Sequence, residues 1–204
     1  MHISWLGNTA VKIQEKIGGK DVTLVIDPYK PEVGTFPRSL TADIALYTRG
    51  SKGSVTISGN PFTLDHAGEC ETHGILITAP PAEAKGEALL RIDVDRLSVG
   101  HLGMSNTPLT DQQIDMLGNI DILLVPTGGT DCYAPDQAKK AIQLIEPSIV
   151  IPMAYKCDTD PKAMPVEDFL KVIGTVPEQH EKKVIIKKKD INAEEMKVFV
   201  LSKE

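Results

Sequence analysis

The stretch Leu97-Ser98-Val99-Gly100-His101-Leu102-Gly103-Met104 decides how the rest of the chain is read. A short apolar run ends in glycine, then histidine, then a second glycine. That pattern predicts a buried strand entering a tight loop that presents His101. Loops at strand ends are where α/β proteins place their chemistry, because a rigid sheet positions an adaptable segment. A histidine acts as base, ligand or switch only with partners, and those partners must come from elsewhere in the chain.

Upstream of this stretch the chain is rich in strands. Residues 3–6 and 11–14 flank Gly7-Asn8 as a hairpin with Gly7 in its turn, and Gly18-Gly19 forms the next turn. Residues 22–26 are a β-branched strand closed by Asp27-Pro28. Residues 31–40 hold two prolines and a glycine and read as a loop. Strands follow at 43–48, 55–58, 61–64, 74–79 and 88–93, with a loop at 79–86 through Pro80-Pro81. Downstream, strands alternate with helices. Thr110 and Gln113 form a capping-box signature for a helix over 110–117, ended by Gly118. Residues 120–126 are a buried strand leading into Gly128-Gly129. Pro135–Ile145 is an amphipathic helix with Ala138, Ala141, Ile142 and Ile145 on one face. A strand at 148–152, a short helix at Val166–Ile173 and closing strands at 184–186 and 196–201 complete the chain. Strands first, then strand–helix alternation, predicts packed sheets with helices outside. We expect a single domain over 1–204 in two halves, 1–95 and 96–204.

Net charge is −6 with a sequence pI near 5.4. Duplex binding requires a concentrated basic face, so nucleic acid is excluded as the expected partner. The lysines at 182–183 and 187–189 read as solvated strand ends. No apolar run approaches the roughly 20 residues that span a bilayer, so no membrane partner is expected. Met1-His2-Ile3 enters an apolar–polar pattern directly, and no signal peptide is expected. Cys70, Cys132 and Cys157 are scattered and odd in number, which suits a reducing cytoplasm.

Several segments together resemble the metallo-β-lactamase superfamily, specifically its lactonase-like branch of zinc-dependent hydrolases. They are Ile3-Ser4-Trp5-Leu6-Gly7, Leu24-Val25-Ile26-Asp27-Pro28, Gly68-Glu69-Cys70-Glu71, Gly100-His101-Leu102-Gly103, Leu109-Thr110-Asp111-Gln112-Gln113, residues 121–129, and Glu146-Pro147 through Met153. The resemblance implies an α/β (α+β) fold, the αββα sandwich of two mixed β-sheets with helices outside and a metal at one edge. It also exposes a departure. The family's His-x-His-x-Asp-His motif follows a strand ending in Thr; here that place reads Arg49-Gly50-Ser51-Lys52-Gly53-Ser54. The bridging aspartate is Met104, the closing histidine is Ala154 before Tyr155, and the Gly-His of the first turn is Gly7-Asn8.

Zinc catalysis needs about three imidazole, carboxylate or thiolate ligands and an open position for water. Arg49 has no lone pair to offer, and with Lys52 it repels a divalent ion. Gly53 and Ala154 carry no side-chain donor, and the Met104 thioether suits Cu(I) better than Zn(II). The expectation is a degenerate metal site with no cofactor, zinc entering only if that reading fails. The protein is then non-catalytic or of changed chemistry. The alternatives are an active hydrolase of a small phosphorylated or cyclic ester, and an interaction or oligomerisation subunit. A small-molecule ligand is the expected partner, with homo-oligomerisation left open.

The expected pocket comprises Asn8, Asp27, Arg49, Ser51, Ser54, His101, Met104, Asp131, Ala154 and Tyr155. Asp27 reads as a turn residue, or as a partner of Arg49 across the empty site. His101 reads as a loop histidine bonded to backbone, with catalysis the alternative. Cys132 follows Gly128-Gly129 and becomes a nucleophile only if a base or a helix terminus lowers its pKa. Asp65, His66, Glu69, Glu71 and His73 form the richest ligand-type cluster. Glu69, Glu71 and His73 share one face if they lie on a strand, which makes them the candidates for a relocated metal, against a solvated strand face. His2 and His180 have no motif around them.

Overall fold

The chain builds one sheet from its first strands and a second from the later ones, returning to the first only near its end, and the early strands are apolar on both faces. The computed structural model describes every residue except Arg38, Glu181 and Ala193, and of His180 only the backbone. Arg38, within the expected 31–40 loop, and the His180 side chain therefore lie outside the described residues. The strands are β1 (His2–Gly7), β2 (Ala10–Ile17), β3 (Lys20–Ile26), β4 (Leu40–Thr41), β5 (Ile44–Leu46), β6 (Ile57–Ser58), β7 (Phe62–Leu64), β8 (Gly68–Thr72), β9 (Ile75–Ala79), β10 (Leu90–Val94) and β11 (Leu97–His101). Then come α1 (Asp111–Leu117), β12 (Ile122–Pro126), α2 (Pro135–Ile145), β13 (Ile149–Met153), α3 (Val166–Ile173), β14 (Glu178–His180), β15 (Val184–Ile185) and β16 (Lys197–Leu201).

The first sheet has the order β15-β1-β2-β3-β5-β7 and the second β14-β16-β13-β12-β11-β10-β9-β8; both are mixed. Period-2 alternation sends Ile3, Trp5, Val11, Ile13, Leu24 and Ile26 into the core between the sheets. The opposite faces contribute Leu6, Ala10 and Val25 to a smaller cluster, with Leu40 and Ala42, against which Tyr29 and Phe36 pack. β12 and β13 are buried along their whole lengths, as strands covered on both faces must be.

The helices lie on the far side of the second sheet. α2 packs over β12 through Ala138, Ala141, Ile142 and Ile145. α1 is tied to β10 by Arg91, whose guanidinium donates to the carbonyls of Leu117 and Asn119. The capping box at Thr110 forms as expected, with Thr110 Oγ1 accepting from Gln113 N–H and the Gln113 side chain accepting from Thr110 N–H. The fold is the expected sandwich, with one local difference. Among the described residues, the outer face of the first sheet is covered by the Leu6–Val25 cluster and the small β4–β6 pair, not by a helix.

Three expectations change in detail. β11 continues through His101, which pairs with Leu90 and Leu124; the histidine ends a strand instead of riding on a loop. The closing segment at 184–186 joins the first sheet, where His2 faces Ile185. Gly68–Thr72 is a strand, at the edge of the second sheet. No helix among the described residues is long and apolar enough to cross a membrane.

The topology gathers strand ends. β1, β3 and β5 run one way in the first sheet, and β11, β12 and β13 run parallel in the second. Their carboxyl ends meet at one edge, where Ala154 N–H donates to the Asn8 carbonyl at 2.9 Å. In open α/β sheets this is the edge where ligands bind.

Candidate functional site

Three residues just beyond strand ends hold left-handed backbone: Asn8 (φ 47°), Asp27 (φ 46°) and Ala154 (φ 56°). Asn and Asp tolerate this region, but an alanine there costs on the order of 1–2 kcal/mol. Ala154 has no side-chain hydrogen bond to offset that cost, so its conformation is imposed by the fold around it. Gly128 explains part of this: a Cβ there would lie 1.9 Å from the Ala154 carbonyl oxygen, so only glycine lets the two loops touch.

Asp27 forms the floor of the site. It is buried, and its two carboxylate oxygens accept from Thr48 N–H and Thr48 Oγ1, each at 2.6 Å. Such short bonds to a carboxylate are charge-assisted and strong. Asp27 therefore fixes the residue that precedes Arg49. Its partner is Thr48, and no Asp27–Arg49 ion pair forms among the described residues.

His101 lies beside it, fully buried (0%). Its Nε2 is 2.9 Å from the Thr9 carbonyl, and its Nδ1 is 3.1 Å from Gly103 N–H. A carbonyl only accepts and an amide N–H only donates, which fixes the neutral Nε2–H tautomer. Burial holds the imidazole below the usual histidine value; the Asp27 charge and the Thr9 bond oppose this, and Arg49 adds to it. Both ring nitrogens are used by backbone. The bonded-to-backbone reading holds, although the residue sits in a strand.

Above this floor lies a cleft of two cavities, of about 440 and about 250 Å³. Arg49, Met104 and Asp131 border both and form the waist between them. Asn8, Cys132 and Ala154 line the larger cavity. Asp27 and His101 are buried and line neither cavity; Asp27 is joined to the smaller one through Thr48. Ser51 donates to Asp65 at 3.1 Å, away from the cleft, and Ser54 N–H bonds back to the Ser51 carbonyl at 3.3 Å. Tyr155 stacks on Trp5 at 4.2 Å between centroids and donates its hydroxyl to the Leu201 carbonyl, so it supports the core.

Cys132 is buried, with Sγ 3.8 Å from the Tyr133 carbonyl oxygen. Burial pushes its thiol pKa up, against the opposing Gly129 and Gly128 amides. Helix α2 is capped at Ala134, two residues further on, and His101 makes no bond to the sulfur.

Sequence reasoning missed the far wall of the larger cavity. Tyr29 donates to Thr159 Oγ1 at 2.6 Å, Thr159 donates to Asp160 at 3.2 Å, and Asn8 Nδ2 donates to the other Asp160 oxygen at 3.0 Å. The polar run Cys157-Asp158-Thr159-Asp160 before Pro161 was the available signal. The Glu69–His73 cluster does not converge. Glu69 and Glu71 are exposed on edge strand β8, and His73 lies beyond its end in a left-handed turn (φ 53°), with Nδ1 2.9 Å from its neighbour Thr72 Oγ1. The solvated reading fits these residues, and no group of three metal-ligating side chains forms among the described residues.

Comparison with known proteins places this architecture. Residues 2–154 match the family described as the beta-lactamase superfamily domain. A UPF0173 metal-dependent hydrolase of Staphylothermus marinus is 31% identical, over 86% of this chain and 68% of its own length. The UPF0173 metal-dependent hydrolase of Methanopyrus kandleri is 25% identical, over 76% of this chain and 84% of its own. Among solved structures, a candidate Zn-dependent hydrolase of the metallo-beta-lactamase superfamily from Thermotoga maritima superposes with a TM-score of 0.83, at 29% identity over 99% of both chains.

Proposed function

The chain belongs to the metallo-beta-lactamase superfamily, and we propose that within it this protein binds a small molecule in the two-lobed cleft without a catalytic zinc centre. The relatives it resembles are named metal-dependent hydrolases, so the fit of a zinc ion must be judged on the residues at the strand ends. They do not fit. Arg49 presents a permanent cation with no lone pair. His101 has committed both nitrogens to backbone, and Asp27 has committed both oxygens to Thr48. Met104 is a thioether, and Ala154 carries a methyl group. An ion at this edge would sit against a guanidinium and find no free imidazole or carboxylate on the floor.

The single observation that carries the reading is the complete backbone engagement of His101 beneath Arg49. The test is metal analysis of protein purified without added metal. We expect well under one zinc per chain, unchanged in Asp27→Ala or His101→Leu variants. One or two zinc per chain, lost in those variants, would refute the proposal. The relatives' names favour a second reading, an active hydrolase of a small phosphorylated or cyclic ester. It predicts turnover of generic lactones or phosphoesters that a chelator abolishes.

A further inference from the structure

We propose that Arg49 is the receptor for an oxyanion, a carboxylate or phosphate group, on the small molecule that occupies the cleft. The proposal rests on the zinc-free reading above and names the ligand class that reading leaves open.

No carboxylate is hydrogen-bonded or ion-paired to the Arg49 guanidinium among the described residues. Arg49 borders both cavities, and its charge is felt at His101 and at Cys132. Both of those groups are held neutral. The nearby carboxylates of Asp27 and Asp160 are occupied, by Thr48 and by Asn8 and Thr159 respectively. Among the described residues, the Arg49 side chain has neither a hydrogen bond nor an ion pair. A guanidinium offers a planar fork of donors that matches a carboxylate or phosphate in bidentate fashion. The larger cavity alone falls within the volume range of small-molecule sites, roughly 300–1,000 Å³.

The surrounding charges set the direction of approach. Lys30 and Lys162 border the larger cavity, with Glu32 and the waist residue Asp131 as its unengaged acids among the described residues. Glu83 and Glu87 border the smaller one, with no lysine beside them. The oxyanion therefore meets Arg49 from the larger cavity. Asp131 shares the waist and is likewise without a partner among the described residues. It repels a bare anion and accepts from a donor, so the matching ligand places a hydroxyl or ammonium group next to its oxyanion.

These two waist residues give opposite signs in one experiment. The full chain is stripped with chelator, desalted, and titrated calorimetrically with citrate and with pyrophosphate. Wild type binds at least one of them. Arg49→Gln weakens that binding about tenfold or more, whereas Asp131→Asn strengthens the binding of pyrophosphate, the probe without a carbon-borne hydroxyl or ammonium group, about threefold, because one attraction and one repulsion are removed. Both side chains are exposed, and circular dichroism confirms that the variants fold. Binding by metal-free wild type that Arg49→Gln leaves unchanged overturns the Arg49 assignment alone, as does the absence of binding of either probe up to about 10 mM, the limit of weak specific affinity. Binding that appears only after zinc is restored overturns the zinc-free reading instead.

Discussion

The buried floor and the exposed waist of the cleft are neighbours built on opposite rules. On the floor, every polar atom of Asp27 and His101 is engaged: Thr48 twice, Thr9 once, Gly103 once. At the waist, Arg49 and Asp131 carry full charges with no protein partner among the described residues. A satisfied buried group stabilises and orients the backbone, while an unsatisfied exposed charge is available to a ligand. Asp27 and His101 thus have their side-chain polar atoms taken up by neighbouring residues, whereas the Arg49 guanidinium is left without a partner among the described residues.

The comparison breaks most visibly at the floor. Asp27→Ala leaves Thr48 N–H and Oγ1 without their acceptor, and we expect a loss of about 4 kcal/mol, read by urea unfolding. His101→Leu strands the Thr9 carbonyl and the Gly103 amide and should cost about 3 kcal/mol. A loss below about 0.5 kcal/mol for either would place these side chains outside the framework.

pH sharpens the same contrast. His101 has a folded-state pKa below its unfolded one, so its neutral form favours the fold. Its contribution is fully present above the unfolded pKa of about 6.5 and is lost as pH falls towards the depressed folded value. Wild-type stability should therefore fall on acidification below about pH 6.5 more steeply than that of His101→Leu. Parallel curves would remove His101 from the account.

Much of this was legible in the sequence where the signal is local. Pro135–Ile145 and Val166–Ile173 are observed at their expected bounds, because apolar period and helix-compatible termini agree there. The capping box at Thr110 was readable for the same reason. The strands that lead to Asp27 and Ala154 were also legible, from their β-branched and apolar runs. What escaped depends on contacts distant in sequence. Gly100-His101-Leu102-Gly103 reads as a loop from its glycines, yet its bonds to Thr9 and its pairing with Leu124 draw His101 into the sheet. The 184–186 strand could not announce from composition that it pairs with β1. Tyr29, Thr159 and Asp160 form a wall only because two loops some 130 residues apart meet. The Glu69–His73 cluster differs in the opposite way: its spacing suits one strand face, but a turn places His73 beyond the end of β8.

That cluster supplies the smallest expected effect. Glu69→Ala and His73→Ala should each change stability by less than about 0.5 kcal/mol and leave metal content unaltered, because the side chains are exposed. A larger change in metal content would revive a relocated site and erase the contrast between this strip and the cleft.

The most direct test of the central claim is the state of the His101 ring. In protein labelled with ¹⁵N-histidine, a long-range proton–nitrogen spectrum at pH 7 should show His101 as the neutral Nε2–H tautomer, unmoved by an equivalent of zinc. A shift of either His101 nitrogen to metal-bound values on zinc addition would contradict it.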